Sequence, residues 1–164
     1  MSNQLLTATE IRELAKSLDL KPTKKLGQNF VIDQNTVEKI VKAAKVDSNN
    51  HVLEIGPGLG SLTLALLQTD AKVTAVEIDE RLANLLPKTA LKKGFKQEKL
   101  KVINKDALLI DKSDISDSPN VLVANLPYNV SVPVILHMLE TFPTITNYLV
   151  MVQSEVADRL ASKP

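Results

Sequence analysis

Asn125-Leu126-Pro127-Tyr128-Asn129 directly follows the apolar run Val121–Ala124. A carboxamide, a rigid proline and an aromatic ring gathered at the end of a buried strand serve packing poorly and polar recognition well. The side-chain carbonyl of Asn125 and a backbone carbonyl held by the Leu126–Pro127 bend can form two acceptors converging on one point. Such a pair suits an amino group with two hydrogens. The Tyr128 ring gives a flat base a surface to stack on, worth ~1–3 kcal/mol. An aromatic amine such as that of adenine shares its lone pair with the ring and is a poor nucleophile. Two acceptors draw its nitrogen toward a tetrahedral shape and stabilise the positive charge that grows as it attacks a methyl group. That is positioning and electrostatic stabilisation, with no metal or strong base required. The plain alternative is a strand-end turn with a capping Asn and a core Tyr.

A second cluster can hold the methyl donor. Glu54-Ile55-Gly56-Pro57-Gly58-Leu59-Gly60 joins an apolar strand to a helix. Glycines there allow backbone dihedrals barred to other residues and let a ligand approach the main chain. The following helix turns free N–H groups toward the same point. Glu77 ends the next strand, 21 residues after Gly56, the spacing at which an acid accepts hydrogen bonds from ribose hydroxyls. Together these residues read as a site for an adenosine-bearing cofactor. A dinucleotide fingerprint would need glycine at position 61, where Ser61 stands. Pyrophosphate is therefore poorly matched, and S-adenosylmethionine, which carries no phosphate, is the expected cofactor. Asp106 is expected to close the third strand, where its carboxylate can accept a hydrogen bond from the adenine amino group or cap a turn.

The elements that must position these residues are legible in the spacing. Thr7 and Glu10 have capping-box spacing, and Ile11, Leu14 and Leu18 follow on one helical face over 7–19. Lys21-Pro22 ends that helix, and TKKLGQNF (23–30) is a loop. A second helix fits 34–45. Strands are expected at 51–56, 72–79, 99–106, 120–127 and 147–153. Helices are expected at 61–68, at 80–93 with a disturbance at Pro87, at 132–142 and from 154 onward. Strands alternating with helices, several of them almost wholly apolar, imply a parallel sheet covered on both faces. The fold class expected is α/β, a doubly wound, mostly parallel, Rossmann-like sheet.

Composition bounds the rest. The chain has 164 residues, 44% of them hydrophobic, enough for one domain with a real core. No apolar stretch approaches a membrane span, the N-terminus lacks a secretory pattern, and there are no cysteines, in keeping with a cytoplasmic setting. The net charge is +1, so bulk charge does not announce nucleic acid. Residues 1–45 carry eight basic and five acidic side chains, +3, which leaves −2 for the remainder. A lysine cluster at Lys88, Lys92, Lys93, Lys96, Lys99, Lys101 and Lys105 reads as solvated surface or as a phosphate-contacting face. His51 and His137, the two histidines, receive no functional role, and no metal is expected.

Taken together, KKLGQNFVID (24–33), VLEIGPGLGSLT (52–63), VEID (76–79), KDA (105–107), NLPYN (125–129) and QSEVADRL (153–160) resemble the ribosomal RNA adenine dimethyltransferases. The resemblance implies a methyltransferase fold and a S-adenosylmethionine site lined by Asn29, Val31, Gly56, Glu77, Asp106 and Asn125, with Gln28 and Phe30 helping to close it and Gly58 in its turn. It implies that Asn125, Leu126 and Tyr128, on the Pro127 bend, handle the target adenine. LGQNF with NLPYN looks more like the small-subunit branch, which dimethylates two neighbouring adenines in a hairpin near the 3′ end. The expected partner is then small-subunit rRNA in an immature 30S particle, met by a monomer, with Lys24 and Lys25 on RNA phosphates. The expected layout is one domain over 1–164: a helical segment with the GQNF loop over 1–46 and a core over 51–164, cut off after the fifth strand with the family's C-terminal helical domain absent. The competing readings are a non-catalytic assembly or RNA-binding factor that keeps the fold, and an NAD-dependent oxidoreductase.

Overall fold

The structure, a computed structural model, describes residues 4–20, 33–127, 129–152 and 154–162. Its centre is a five-stranded sheet in which every neighbouring pair is parallel: β1 (His51–Ile55), β2 (Lys72–Glu77), β3 (Leu100–Asn104), β4 (Val121–Asn125) and β5 (Asn147–Met151). Their order across the sheet is β3-β2-β1-β4-β5. The chain winds outward from β1 in one direction and then, through β4, in the other. This is the doubly wound arrangement, and it leaves a crevice where the order reverses, between the carboxyl ends of β1 and β4.

Helices cover both faces because the strands are apolar on both. α1 (Ala8–Ser17), α2 (Gln34–Ala44), α3 (Ser61–Leu67) and α4 (Glu80–Lys92) precede or connect β1, β2 and β3. Val37, Ile40, Val41 and Ala44 of α2 are buried at helical spacing, with Val52, Leu64, Leu66, Val73, Val121 and Val123 in the same core. α5 (Ser131–Thr141) packs Val134 and Met138 against Leu53, Ile55, Leu122 and Ala124 on the opposite face. α6 (Ser154–Ala161) follows β5. Neighbouring strand residues, such as Val52 and Leu53 or Val121 and Leu122, enter different cores, as the alternation of a strand requires.

The first helix forms as its spacing predicts. The Thr7 hydroxyl accepts from the Glu10 amide at 3.2 Å, and the Glu10 carboxylate accepts from the Thr7 amide at 2.8 Å. Three side chains then tie it to the body: Gln34 donates to the Leu6 carbonyl, Arg81 to the Leu18 carbonyl, and Lys93 to the Leu5 carbonyl and the Glu10 carboxylate.

Three expectations are revised. α4 runs unbroken through Pro87. The ring removes one donor, but Leu82, Ala83, Leu86, Thr89 and Ala90 are buried on both sides of it and hold the helix in place. The lysine cluster is not a single open phosphate face: Lys93 binds Glu10, Lys99 binds Asp70, and Lys101 and Lys105 bind the backbone and carboxylate of Asp114. With Lys72 on Asp117, Lys101 and Lys105 lace the polar 111–119 loop to the sheet, while Lys93 ties the N-terminal helix to the end of α4. Finally, every strand ends one or two residues sooner than expected, and the residues just past β1 to β4, among them Gly56, Ile78, Asp106 and Leu126, border the crevice.

Candidate functional site

The turn after β1 is shaped by its glycines. Gly56, Gly58 and Gly60 have φ of +70°, +58° and +96°. Gly56 continues the sheet by donating to the Val76 carbonyl at 2.9 Å, while its bare Cα faces the end of β4. A Cβ there would lie 3.8 Å from the Asn125 carbonyl oxygen. The glycine turn and the NLPYN bend are therefore immediate neighbours in space, although 69 residues separate Gly56 from Asn125 in the chain.

Glu77 forms the floor. It is buried, and its two carboxylate oxygens accept from the Gly58 amide at 3.1 Å and the Asp79 amide at 2.9 Å. Burial raises its pKa, while the bonds from Asp79 and Gly58 oppose the rise. Each oxygen keeps a second lone pair, so the residue can clamp the glycine turn and still accept from a ligand. Asp106 borders the cleft two residues past β3, as the cap of a 3₁₀ turn (Ala107–Leu109). One of its oxygens accepts from the Leu108 amide at 2.9 Å. Asp106 is thus a turn cap that also borders the cleft. Asn125 is the last residue of β4 and partly buried. Leu126 is buried, its amide on the Met151 carbonyl at 3.1 Å. The Pro127 carbonyl accepts from Val130 at 3.2 Å, closing the turn that leads into α5.

These residues line one cleft of about 470 Å³, a volume that suits a nucleoside-sized ligand. Gly56, Gly58, Glu77, Asp106, Asn125, Leu126 and Pro127 all border it. Gln28, Asn29, Val31, Lys24, Lys25 and Tyr128 lie outside the described residues. The cleft also has walls that sequence reasoning missed: Leu20 at the end of the N-terminal helix, Ile78, Leu108 and Val134. Ile78 is 68% exposed, an apolar side chain on a polar rim, and no periodicity could have singled it out. The donor set fits an adenosine-bearing sulfonium. It has a bare Cα for close approach, two carboxylates at strand ends for hydroxyl and amino groups, and apolar walls for a base.

One buried acid was also missed. Glu54, next to the last residue of β1, is 1% exposed and accepts from the Thr63 hydroxyl at 2.7 Å. Burial pushes its pKa up to about 8, with Glu77 adding to the rise, so it is mostly protonated at neutral pH beneath the turn. Both histidines have hydrogen-bond partners within the fold: His51 is paired with the Thr74 hydroxyl at 2.8 Å and His137 with the Ile110 carbonyl at 2.8 Å.

The sequence profile of the family described as ribosomal RNA adenine dimethylase matches residues 20–164. A protein of Corynebacterium diphtheriae named ribosomal RNA small subunit methyltransferase A is 63% identical over 164 residues, covering 99% of this chain and 55% of its own length. The protein of the same name from Mycolicibacterium vanbaalenii is 56% identical, covering 100% of this chain and 53% of its own. The chain thus spans about half the length of the curated relatives it matches. Among solved structures, a dimethyladenosine transferase from Plasmodium falciparum superposes with a TM-score of 0.67 at 32% identity, over 80% of this chain and 45% of that one.

Proposed function

The chain belongs to the ribosomal RNA adenine dimethylase family, and from that premise we propose that it binds S-adenosylmethionine in the β1–β4 crevice and dimethylates the N6 amino groups of two adjacent adenines in a 3′-terminal hairpin of small-subunit rRNA. The observation that carries this reading is the pairing of Ile55 with Ala124, which sets Gly56 at the end of β4 and puts Asn125 beside a turn floored by Glu77 and flanked by Asp106. Glu77 and Asp106 would hold the ribose hydroxyls and the adenine amino group of the cofactor, with Gly56 and Gly58 admitting its tail. Bound there, S-adenosylmethionine supplies an electrophilic methyl group.

The chain's own residues do the rest. The Asn125 side-chain carbonyl accepts one hydrogen of the target amine. A main-chain carbonyl on the Leu126–Pro127 bend accepts the other, and their joint pull supports the charge that develops on nitrogen. The buried Leu126 and the Val130 and Val134 walls exclude water from that point. Tyr128 is assigned to stack on the target base. Gln28, Asn29 and Val31 are assigned to the cofactor, and Lys24 and Lys25 to RNA phosphates. The reading extends to a monomer acting in the cytoplasm on the immature 30S particle, with residues 1–46 as an N-terminal segment and 51–164 as the catalytic core.

The test is transfer of labelled methyl groups from S-adenosylmethionine to immature small subunits. Label in N6-methylated adenine is expected, and Asn125→Ala should lower the rate by about 10²–10³, the scale of losing one preorganised acceptor. Unlabelled adenine with the intact chain overturns the assignment, and full activity in Asn125→Ala overturns the role of that residue. Subunits that assemble normally without any methylation would favour a non-catalytic assembly factor.

A further inference from the structure

Asn104 closes β3 directly opposite Glu77 in the parallel ladder. Its side-chain nitrogen donates to two successive carbonyls of the neighbouring strand's exit, Glu77 at 2.8 Å and Ile78 at 3.1 Å. Both hydrogens of the carboxamide are thereby used. The Lys105 amide adds another donor to the Glu77 carbonyl at 3.1 Å. A strand-end asparagine that merely capped its own strand would not bridge two carbonyls of the next one.

The bridge has a mechanical consequence. Peptide groups are planar, so fixing the carbonyls of residues 77 and 78 fixes the peptide planes on both sides of Ile78. The Glu77 side chain then leaves the backbone in a set direction, and its carboxylate meets the Gly58 and Asp79 amides. A continuous path of contacts runs from Asn104 through the Glu77 backbone to the Glu77 carboxylate and the glycine turn. The same bridge holds Ile78 at the rim of the cleft. Asn104 itself is exposed and is not part of the lining.

We propose that Asn104 is a positioning residue for the cofactor site, acting through the backbone of Glu77 and Ile78 to hold the carboxylate and the glycine turn in their binding arrangement. The identity of the ligand rests on the function proposed above; the positioning path does not.

Asn104→Asp keeps the shape and replaces the doubly donating nitrogen with an acceptor oxygen that faces two carbonyls. Three measurements on the intact chain follow: amide hydrogen exchange without ligand, calorimetric titration with S-adenosylhomocysteine, and thermal unfolding. Exchange at Gly58 and Asp79 should quicken by about tenfold, the scale of one hydrogen bond, while amides of the β4–β5 ladder keep their protection. Affinity for S-adenosylhomocysteine should fall about tenfold or more, with Asn104→Ala between wild type and Asn104→Asp. Added to Glu77→Gln, Asn104→Asp should weaken binding little further, because both act through one carboxylate. Unchanged exchange at Gly58 and Asp79 overturns the proposal, and so does a fully additive double variant. If the wild-type chain does not bind S-adenosylhomocysteine, the proposed function falls, and exchange at those two amides alone decides the role of Asn104.

Discussion

Single residues around the turn carry more than one duty, and their substitution should separate the duties. Gly60 caps α3 with φ +96°, and a Cβ there would collide with Leu86 Cδ1, itself a fully buried side chain. Gly60→Ala should therefore cost about 2–3 kcal/mol, part from the left-handed backbone and part from moving Leu86. Urea unfolding measures it, and a loss under ~0.5 kcal/mol would show that the turn has room the structure denies. The glycines and Glu77 were legible in the sequence because their spacing is set by covalent chain length: one helix and one strand separate turn from acid. Glu54 was not. Its letter sits among apolar neighbours in an unremarkable strand, and only its burial under α3 beside Thr63 makes it a protonated acid.

At the scale of elements, the helices and strands followed from periodicity, and what escaped was where each strand stops. The expected strands ran one or two residues past Ile55, Glu77, Asn104, Asn125 and Met151, the points at which the ladders end. A pattern of side chains cannot say when backbone pairing gives out, because pairing ends where the neighbouring strand turns away and not where the residue types change. The docking of α1 was equally hidden, since its ties come from residues far along the chain. Lys93 has a side chain only 12% exposed, and it joins Glu10 at 2.7 Å and the Leu5 carbonyl at 2.9 Å. This pairing holds the Glu10 pKa down at about 2. Lys93→Ala leaves that carbonyl and carboxylate without this cation, so it should destabilise the protein by about 1–3 kcal/mol. It should also free α1 to early proteolytic cleavage; an α1 as resistant as before would show that its buried side chains with the Gln34 and Arg81 ties suffice to hold it.

The whole molecule gathers its titratable groups at opposite ends of β1, and its stability should report both. Burial lowers the His51 pKa to about 4, aided by Lys72 and Lys101. Unfolded chains bind that proton more readily, so its contribution is present above about 6.5 and is lost as pH falls toward 4. Glu54 behaves oppositely: raised from 4.5 to about 8, it contributes most at low pH, and that contribution drains away as pH rises through 8. The two offset between about 4.5 and 6.5. Above that range Glu54 acts without its counterweight. Stability should decline from pH 6.5 to 8, with a slope of up to about 1.4 kcal/mol per pH unit. Glu54→Gln should flatten that decline in urea titrations at pH 6.5, 7.25 and 8, and an unaltered slope would place the titration elsewhere.

From its order of residues alone, this protein was determined as a parallel, doubly wound α/β chain with a glycine turn, a spaced acid and an NLPYN bend. Those features are local: each depends on periodicity, dihedral preference or covalent spacing within a few dozen residues. The tertiary structure alone decided that Gly56 lies against the Asn125 carbonyl, that the Glu77 carboxylate is already engaged by Gly58 and Asp79, and that Asn104 reaches across to hold it. Those contacts join segments that the side-by-side pairing of β1 with β4, β1 with β2 and β2 with β3 brings together, and a one-dimensional pattern carries no distance between strands.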